Sequence, residues 1–266
     1  MPTGRKKSCS RGVTAGPRLT ARRRAGFVLP VDGWDPSSCP WQPSPMRLEE
    51  LVDRAVSLLE GRHRVLLGVA GAPAAGKTTL ARAVAAGVDL VLTDRGEREP
   101  GGPPAAVQVP MDGFHLADVQ LERLGLADRK GVPDSFDAGG YVSLLRRLRA
   151  ADEDVVYAPA FERDLEQALA GAIAVPREAR LVVTEGNYLL LDEAPWDAVR
   201  PLLDEVWFAE ADEEERSARL LARHVEFGKT PEAAQAWMAA VDDPDAALAA
   251  RGRAVADLVV RTAAGD

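Results

Sequence analysis

An α/β fold with a central, mainly parallel sheet is predicted by three features of the 266-residue sequence. The β-branched apolar run Val65-Leu66-Leu67-Gly68-Val69 suits a buried strand. It leads into Gly71-Ala72-Pro73-Ala74-Ala75-Gly76-Lys77-Thr78, and an alanine-rich, helix-favouring stretch follows from Thr78 to Ala86. That loop has the spacing G-x-x-x-x-G-K-[ST], a phosphate-binding turn whose context is strand, loop, helix. Further apolar runs at Ala106–Val109, Arg180–Thr184, Glu205–Phe208 and Ala256–Val260 are separated by helical patterns, the signature of strands joined by crossover helices.

The loop's residue types follow from its chemistry. Gly71 and Gly76 admit backbone conformations and close approaches that a Cβ would obstruct. Successive N–H groups from Gly71 through Ala72, Pro73, Ala74, Ala75, Gly76, Lys77, Thr78 and Thr79, proline excepted, can therefore surround phosphate oxygens at a helix N-terminus. Lys77 is placed to reach the β- and γ-phosphates of a nucleotide, and the Thr78 hydroxyl to ligate Mg²⁺.

Composition narrows the class of partner. Apolar residues make up 46 % and charged residues 28 %, as in ordinary globular proteins, and no apolar run is long enough to span a bilayer. Residues 1–45 hold eight Lys/Arg against Asp32 and Asp35, a net of +6; with −8 for the whole chain, the remainder carries −14. A body that acidic argues against nucleic acid as a partner. Cys9 and Cys39 are the only cysteines and His63, His115 and His224 show no metal-ligand spacing, so a reducing, cytoplasmic setting without a thiolate metal site is expected.

Taken in order, residues 1–45 are basic, rich in Gly, Pro and Ser, and lack periodicity; they read as a disordered extension before one α/β domain over 46–266. Leu48, Leu51, Val52, Ala55, Leu58 and Leu59 recur at helical spacing. Asp94–Pro104 is a polar loop. The second strand, Ala106–Val109, delivers Asp112-Gly113-Phe114-His115 at its C-terminal end, where open parallel sheets bind ligands. Asp128–Asp137 is turn-rich, Tyr141–Leu148 helical, and Val155–Arg163 extended. The strand Arg180–Thr184 ends on Glu185, an acid at a strand tip that can hold Mg²⁺ directly or through water. In the helix Asp212–Phe227, Arg216, Arg219 and Arg223 fall along one face. They either pair with Glu213, Glu214 and Glu215 or belong to a lid around 212–240, where a glycine turn joins a second helix, Glu232–Ala240.

Together these motifs resemble the phosphoribulokinase / uridine kinase family, and most of all its bacterial pantothenate-kinase-like branch, over roughly Leu48 to Val260. Asp112-Gly113-Phe114 matches the family's catalytic D-G-F, Glu185-Gly186 its E-G turn, Lys130-Gly131-Val132-Pro133-Asp134-Ser135-Phe136-Asp137 its K-G-x-P-[DE]-S-[FY]-D stretch, and Ala158-Pro159-Ala160-Phe161 its A-P-x-[YF] segment. The resemblance implies a P-loop NTPase three-layer sandwich with a helical lid. It also implies ATP and Mg²⁺ as cofactors, with Asp112 as catalytic base and Lys77 and Glu185 as catalytic supports, and a small-molecule hydroxyl as phosphoryl acceptor. Thr78 and Glu185 are the expected metal ligands, Arg219 and Arg223 the lid cations, and His115, Tyr157, Phe161 and Arg163 the substrate wall. The acceptor is left open among pantothenate, a nucleoside, a sugar or another alcohol, as is the oligomeric state, a homodimer included. The competing reading is a nucleotide-dependent regulatory NTPase. Its guanine-reading N-K-x-D form is excluded, because the sole asparagine, Asn187, precedes Tyr188.

Overall fold

The computed structural model of the protein describes residues 46–262; the expected N-terminal extension, 1–45, lies outside them. Among the described residues the strands are β1 (Val65–Ala70), β2 (Ala106–Pro110), β3 (Val155–Glu162), β4 (Gln167–Pro176), β5 (Leu181–Gly186), β6 (Glu205–Glu210) and β7 (Leu258–Arg261). The α-helices are α1 (Leu48–Leu58), α2 (Lys77–Asp94), α3 (Asp118–Leu124), α4 (Ala138–Ala150), α5 (Glu213–Glu226), α6 (Pro231–Trp237) and α7 (Asp243–Ala250).

Five strands form one sheet in the order β2-β5-β1-β6-β7, every pair parallel. Every residue of β1 and β5 is buried, as befits strands covered on both faces, and their side chains divide by alternation. Leu66, Val182, Val206 and Phe208 join Tyr141, Leu145, Tyr188 and Trp196 in one core. Val65, Leu67, Leu181, Val183 and Trp207 join Leu51, Ala55, Leu80, Val84 and Val88 of α1 and α2 in the other. Two cores separated by one sheet are the three layers expected. Because β1 has β5 on one side and β6 on the other, its C-terminal end is the switch point at which a crevice opens.

Three departures from the sequence reading have physical causes. Helix α2 runs on to Asp94 rather than stopping near Gly87, where α1 packs so closely that a Cβ would meet Val52 Cγ2 at 2.5 Å. The interhelical contact offsets the cost of glycine in a helix, about 1 kcal/mol. The extended segment at Val155–Arg163 is one arm of an antiparallel hairpin with β4, pairing Val156 with Val175. The second arm, QALAGAIAVP, is alanine-rich and contains a glycine, so its composition hides it. The expected helix Glu232–Ala240 does not end there. It widens into a π-turn at Met238–Asp242 and continues as α7, the wide turn falling just before Pro244, whose missing N–H and ring a regular helix interior would not accommodate.

Candidate active site

The loop joining β1 to α2 is shaped by close backbone approach. A Cβ on Gly71 would meet Ala209 O at 2.5 Å, and Gly76, the N-cap of α2, has φ +82. Three loop carbonyls are held by side chains: Ala72 O accepts from Lys77 Nζ (2.7 Å), Pro73 O from Arg216 Nη1 (3.3 Å) and Ala75 O from Thr262 Oγ1 (2.8 Å). With those carbonyls held, the N–H groups at the start of α2 are left as the donors that a helix cannot satisfy internally.

Glu185 and Asp112 meet at the C-terminal ends of neighbouring strands, Pro110 standing opposite Glu185 in the β2–β5 register. Asp112 follows in a single 3₁₀ turn, Met111–Phe114. Glu185 is buried and accepts a hydrogen bond from Thr78 Oγ1 at 3.0 Å. Burial, and then the neighbouring Asp112 carboxylate, push its carboxyl upward, while the ammonium of Lys77 opposes that shift. Burial lowers Lys77 itself; Glu185 and Asp112 pull it back up, and Arg223 and Arg216 push it further down. A lysine, a threonine hydroxyl and two carboxylates therefore lie together, with Lys77 and Glu185 buried and Thr78 and Asp112 half-buried.

Oxygen donors of this kind suit Mg²⁺. Among the described residues no group of three or more His, Cys, Asp or Glu could hold a metal alone. Mg²⁺ ordinarily takes one or two protein oxygens and completes its shell with phosphate and water, so the Thr78–Glu185 pair fits a nucleotide-borne ion.

Beyond Asp112 the wall is aromatic. His115 stacks on Phe136 (ring centroids 4.0 Å) and Phe161 (4.8 Å), and its Nδ1 lies 2.8 Å from Asp112 O. A carbonyl can only accept, so Nδ1 carries the hydrogen and Nε2 is left as an acceptor. Burial lowers the His115 pKa and holds the ring neutral, despite Asp112 nearby. The hairpin crosses directly over Gly113, where a Cβ would collide with Pro159 O. Arg163, at the hairpin's end, lies with its guanidinium 5.9 Å from the Phe227 ring centroid, at the turn after α5. Tyr157, expected in this wall, is instead 61 % exposed and makes no ring contact with the cluster.

The three arginines of α5 separate. Arg223 is the one facing the site, its pKa lowered by burial and then by Arg163. Arg219, expected beside it, pairs with Glu215 at 2.9 Å. Arg216 is buried against Pro73, bidentate to Glu213 and 3.5 Å from Asp243, which makes it a strut between loop and helices.

Sequence reasoning passed over Tyr188 and Asp245. The Tyr188 hydroxyl donates to Gly131 O at 2.5 Å and lies against Asp245, whose carboxyl is pushed up to about 7 by burial and by Asp242, with Tyr188 and Arg129 opposing. Between about pH 4, near the ordinary value of 3.8, and pH 7 the folded chain keeps a proton there that the unfolded chain has released. This group's contribution to stability therefore falls as pH rises through that window. Asp245→Asn is expected to narrow the difference in melting temperature between pH 5 and pH 8; an unchanged difference would show that Asp245 titrates normally.

The fold and the loop together define an α/β P-loop NTPase. No family model matches the chain. It is 32 % identical over 206 residues to the "Putative uridine kinase" of Schizosaccharomyces pombe, covering 76 % of this chain and 80 % of that protein. The solved structure of a "putative fructose transport system kinase" from Silicibacter sp. TM1040 superposes with a TM-score of 0.70 at 35 % identity, covering 80 % of this chain and 98 % of that one. A pantothenate kinase of Paenarthrobacter aurescens is 31 % identical over 134 residues, half of this chain but 38 % of that enzyme. The chain belongs to the family of uridine kinase-like and pantothenate kinase-like P-loop kinases. Among the described residues no helix is long and apolar enough to cross a membrane.

Proposed function

We propose that the protein transfers the γ-phosphoryl group of ATP to a hydroxyl of a small metabolite, with Asp112 as the base. The observation that carries this reading is the pairing of two acids on adjacent strand ends, one engaged by Thr78 and the other on the turn whose carbonyl holds His115 of the aromatic wall. Mg²⁺, held through Thr78 and Glu185, would neutralise phosphate charge when bound. Lys77 binds the β- and γ-phosphates, and the Asp112 carboxylate orients the acceptor hydroxyl. As the new O–P bond forms and the β–γ bridge breaks, the hydroxyl proton passes to Asp112 and ADP leaves with the bridging oxygen. Arg223 faces the charge that spreads over the moving phosphoryl.

ADP release measured over a panel of hydroxylated metabolites (pantothenate-like acids, nucleosides, sugars) tests the reading. Turnover strictly dependent on one class of alcohol supports it, and acceptor-independent hydrolysis as the only activity would overturn it.

The split among the arginines yields a paired prediction. Arg223→Gln is expected to lower kcat about 10-fold or more, as removal of a transition-state charge partner does. Arg219→Gln should stay within about twofold and alter stability by less than about 1 kcal/mol, as loss of a half-buried i,i+4 helix ion pair does. An Arg223→Gln variant within about twofold of the parent in steady-state kinetics would remove Arg223 from the reacting charge.

A further inference from the structure

Between α3 and α4 the chain carries a lysine that no step above uses. The Lys130 side chain is 18 % exposed, and its Nζ donates to Asp118 Oδ1 (2.8 Å) and to Glu166 O (2.6 Å) while standing 5.6 Å from the Phe161 ring centroid. Three elements thus converge on one ammonium: the first residue of α3, the β3–β4 turn and the aromatic wall. The stem is anchored, since the next residue donates from Gly131 N to Ser135 Oγ (2.9 Å) and accepts from the Tyr188 hydroxyl.

The hairpin side of this contact is unusual. Glu166 has φ +51, a left-handed conformation that side chains rarely adopt, and its N–H closes the turn on Arg163 O at 3.3 Å. The lysine therefore grips the carbonyl of the residue on which the turn's conformation depends, and that turn holds Arg163. From the same ammonium a line of ring contacts runs through Phe161 to His115, which is hydrogen-bonded to Asp112 O.

We propose that Lys130 is a positioning residue for the acceptor, latching the turn of the β3–β4 hairpin so that Phe161 and Arg163 stand beside Asp112. The proposal rests on the kinase reading for its effect on catalysis, though not for the latch itself. An ion pair with Asp118 alone would not suffice, because that carboxylate is 58 % exposed and exposed pairs contribute little. The bond to Glu166 O and the cover over Phe161 are what distinguish the site. A methionine in place of the lysine keeps the stem and loses the donors; an arginine keeps a donor and the charge.

The test uses the full chain in two measurements. In hydrogen–deuterium exchange, Lys130→Met should speed exchange of amides in 155–176 about 10-fold while β1 and β5 stay unchanged as an internal control for folding, with Lys130→Arg and Asp118→Asn near the parent. In steady-state kinetics with an alcohol found active in the ADP-release panel, Lys130→Met should raise the acceptor KM about 10-fold and leave the ATP KM within about twofold, with Lys130→Arg restoring most of the loss. Unchanged exchange in the hairpin would overturn the latch. Faster exchange with an unaltered acceptor KM, or an ATP KM rising in step with it, would reduce the contact to a structural one. If the parent transfers phosphoryl to no alcohol, the kinase reading fails, and the exchange measurement by itself still decides the latch.

Discussion

Lys77→Ala is expected to abolish phosphoryl transfer and weaken ATP binding at least about 10-fold, since a cation beside the β- and γ-phosphates serves ground and transition states alike. The side chain is 7 % exposed, folded over its own loop onto Ala72 O, and surrounded by Glu185, Asp112, Arg223 and Arg216. Burial lowers its pKa, so the site holds this charge at a desolvation cost that an apolar residue would not incur. A purely structural role would not require that cost. Thermal melting should therefore change little in the variant compared with the collapse in rate, and Lys77→Met, which keeps the packed stem, should fail equally in turnover. Nucleotide titration and initial rates together check both statements. Near-parental activity in either variant would refute the role assigned to the phosphate loop.

What the sequence revealed of this site is what lies contiguous along the chain. The loop Gly71–Thr78, Asp112 in its turn after β2, and Glu185 at the tip of β5 are each a strand end plus a few residues, and the structure brings those three strand ends to one edge. Contacts made by distant residues left no such mark. Thr262 props Ala75 O from 187 residues away, and a lone threonine after a short strand carries no signal of that. Spacing grouped Arg216, Arg219 and Arg223 on one helical face, which is correct for a helix taken alone. The fold then distinguishes them by neighbour: Pro73 O for the first, Glu215 for the second, Arg163 for the third. The hairpin was half legible for a related reason. β3 carries valines and aromatic residues suited to a strand, whereas four of the ten residues of β4 are alanine and one is glycine, and it extends because β3 pairs with it rather than through its own propensity.

Asp112→Asn is expected to lower kcat about 10²–10⁴-fold with ATP affinity within about threefold of the parent. The amide keeps the shape of the side chain but loses the negative charge and the capacity to take a proton, and one acceptor oxygen becomes a donor. The geometry separates this acid from its neighbour. Glu185 receives Thr78 Oγ1, which in the proposed reaction puts it on the phosphate and metal side, whereas Asp112 sits in the Met111–Phe114 turn, its own carbonyl held by His115 and the hairpin passing over Gly113. Its turn thus lies between the Glu185 strand end and the aromatic wall, and in the proposed reaction its carboxylate meets the acceptor hydroxyl there. Asp112 also raises the Glu185 carboxyl by like-charge repulsion, so the variant should leave Glu185 more readily ionised and the metal side intact. A nucleotide-binding titration paired with initial rates distinguishes the outcomes. Parallel loss of ATP binding and rate would place Asp112 on the metal, and an undiminished rate would transfer the role of base to Glu185.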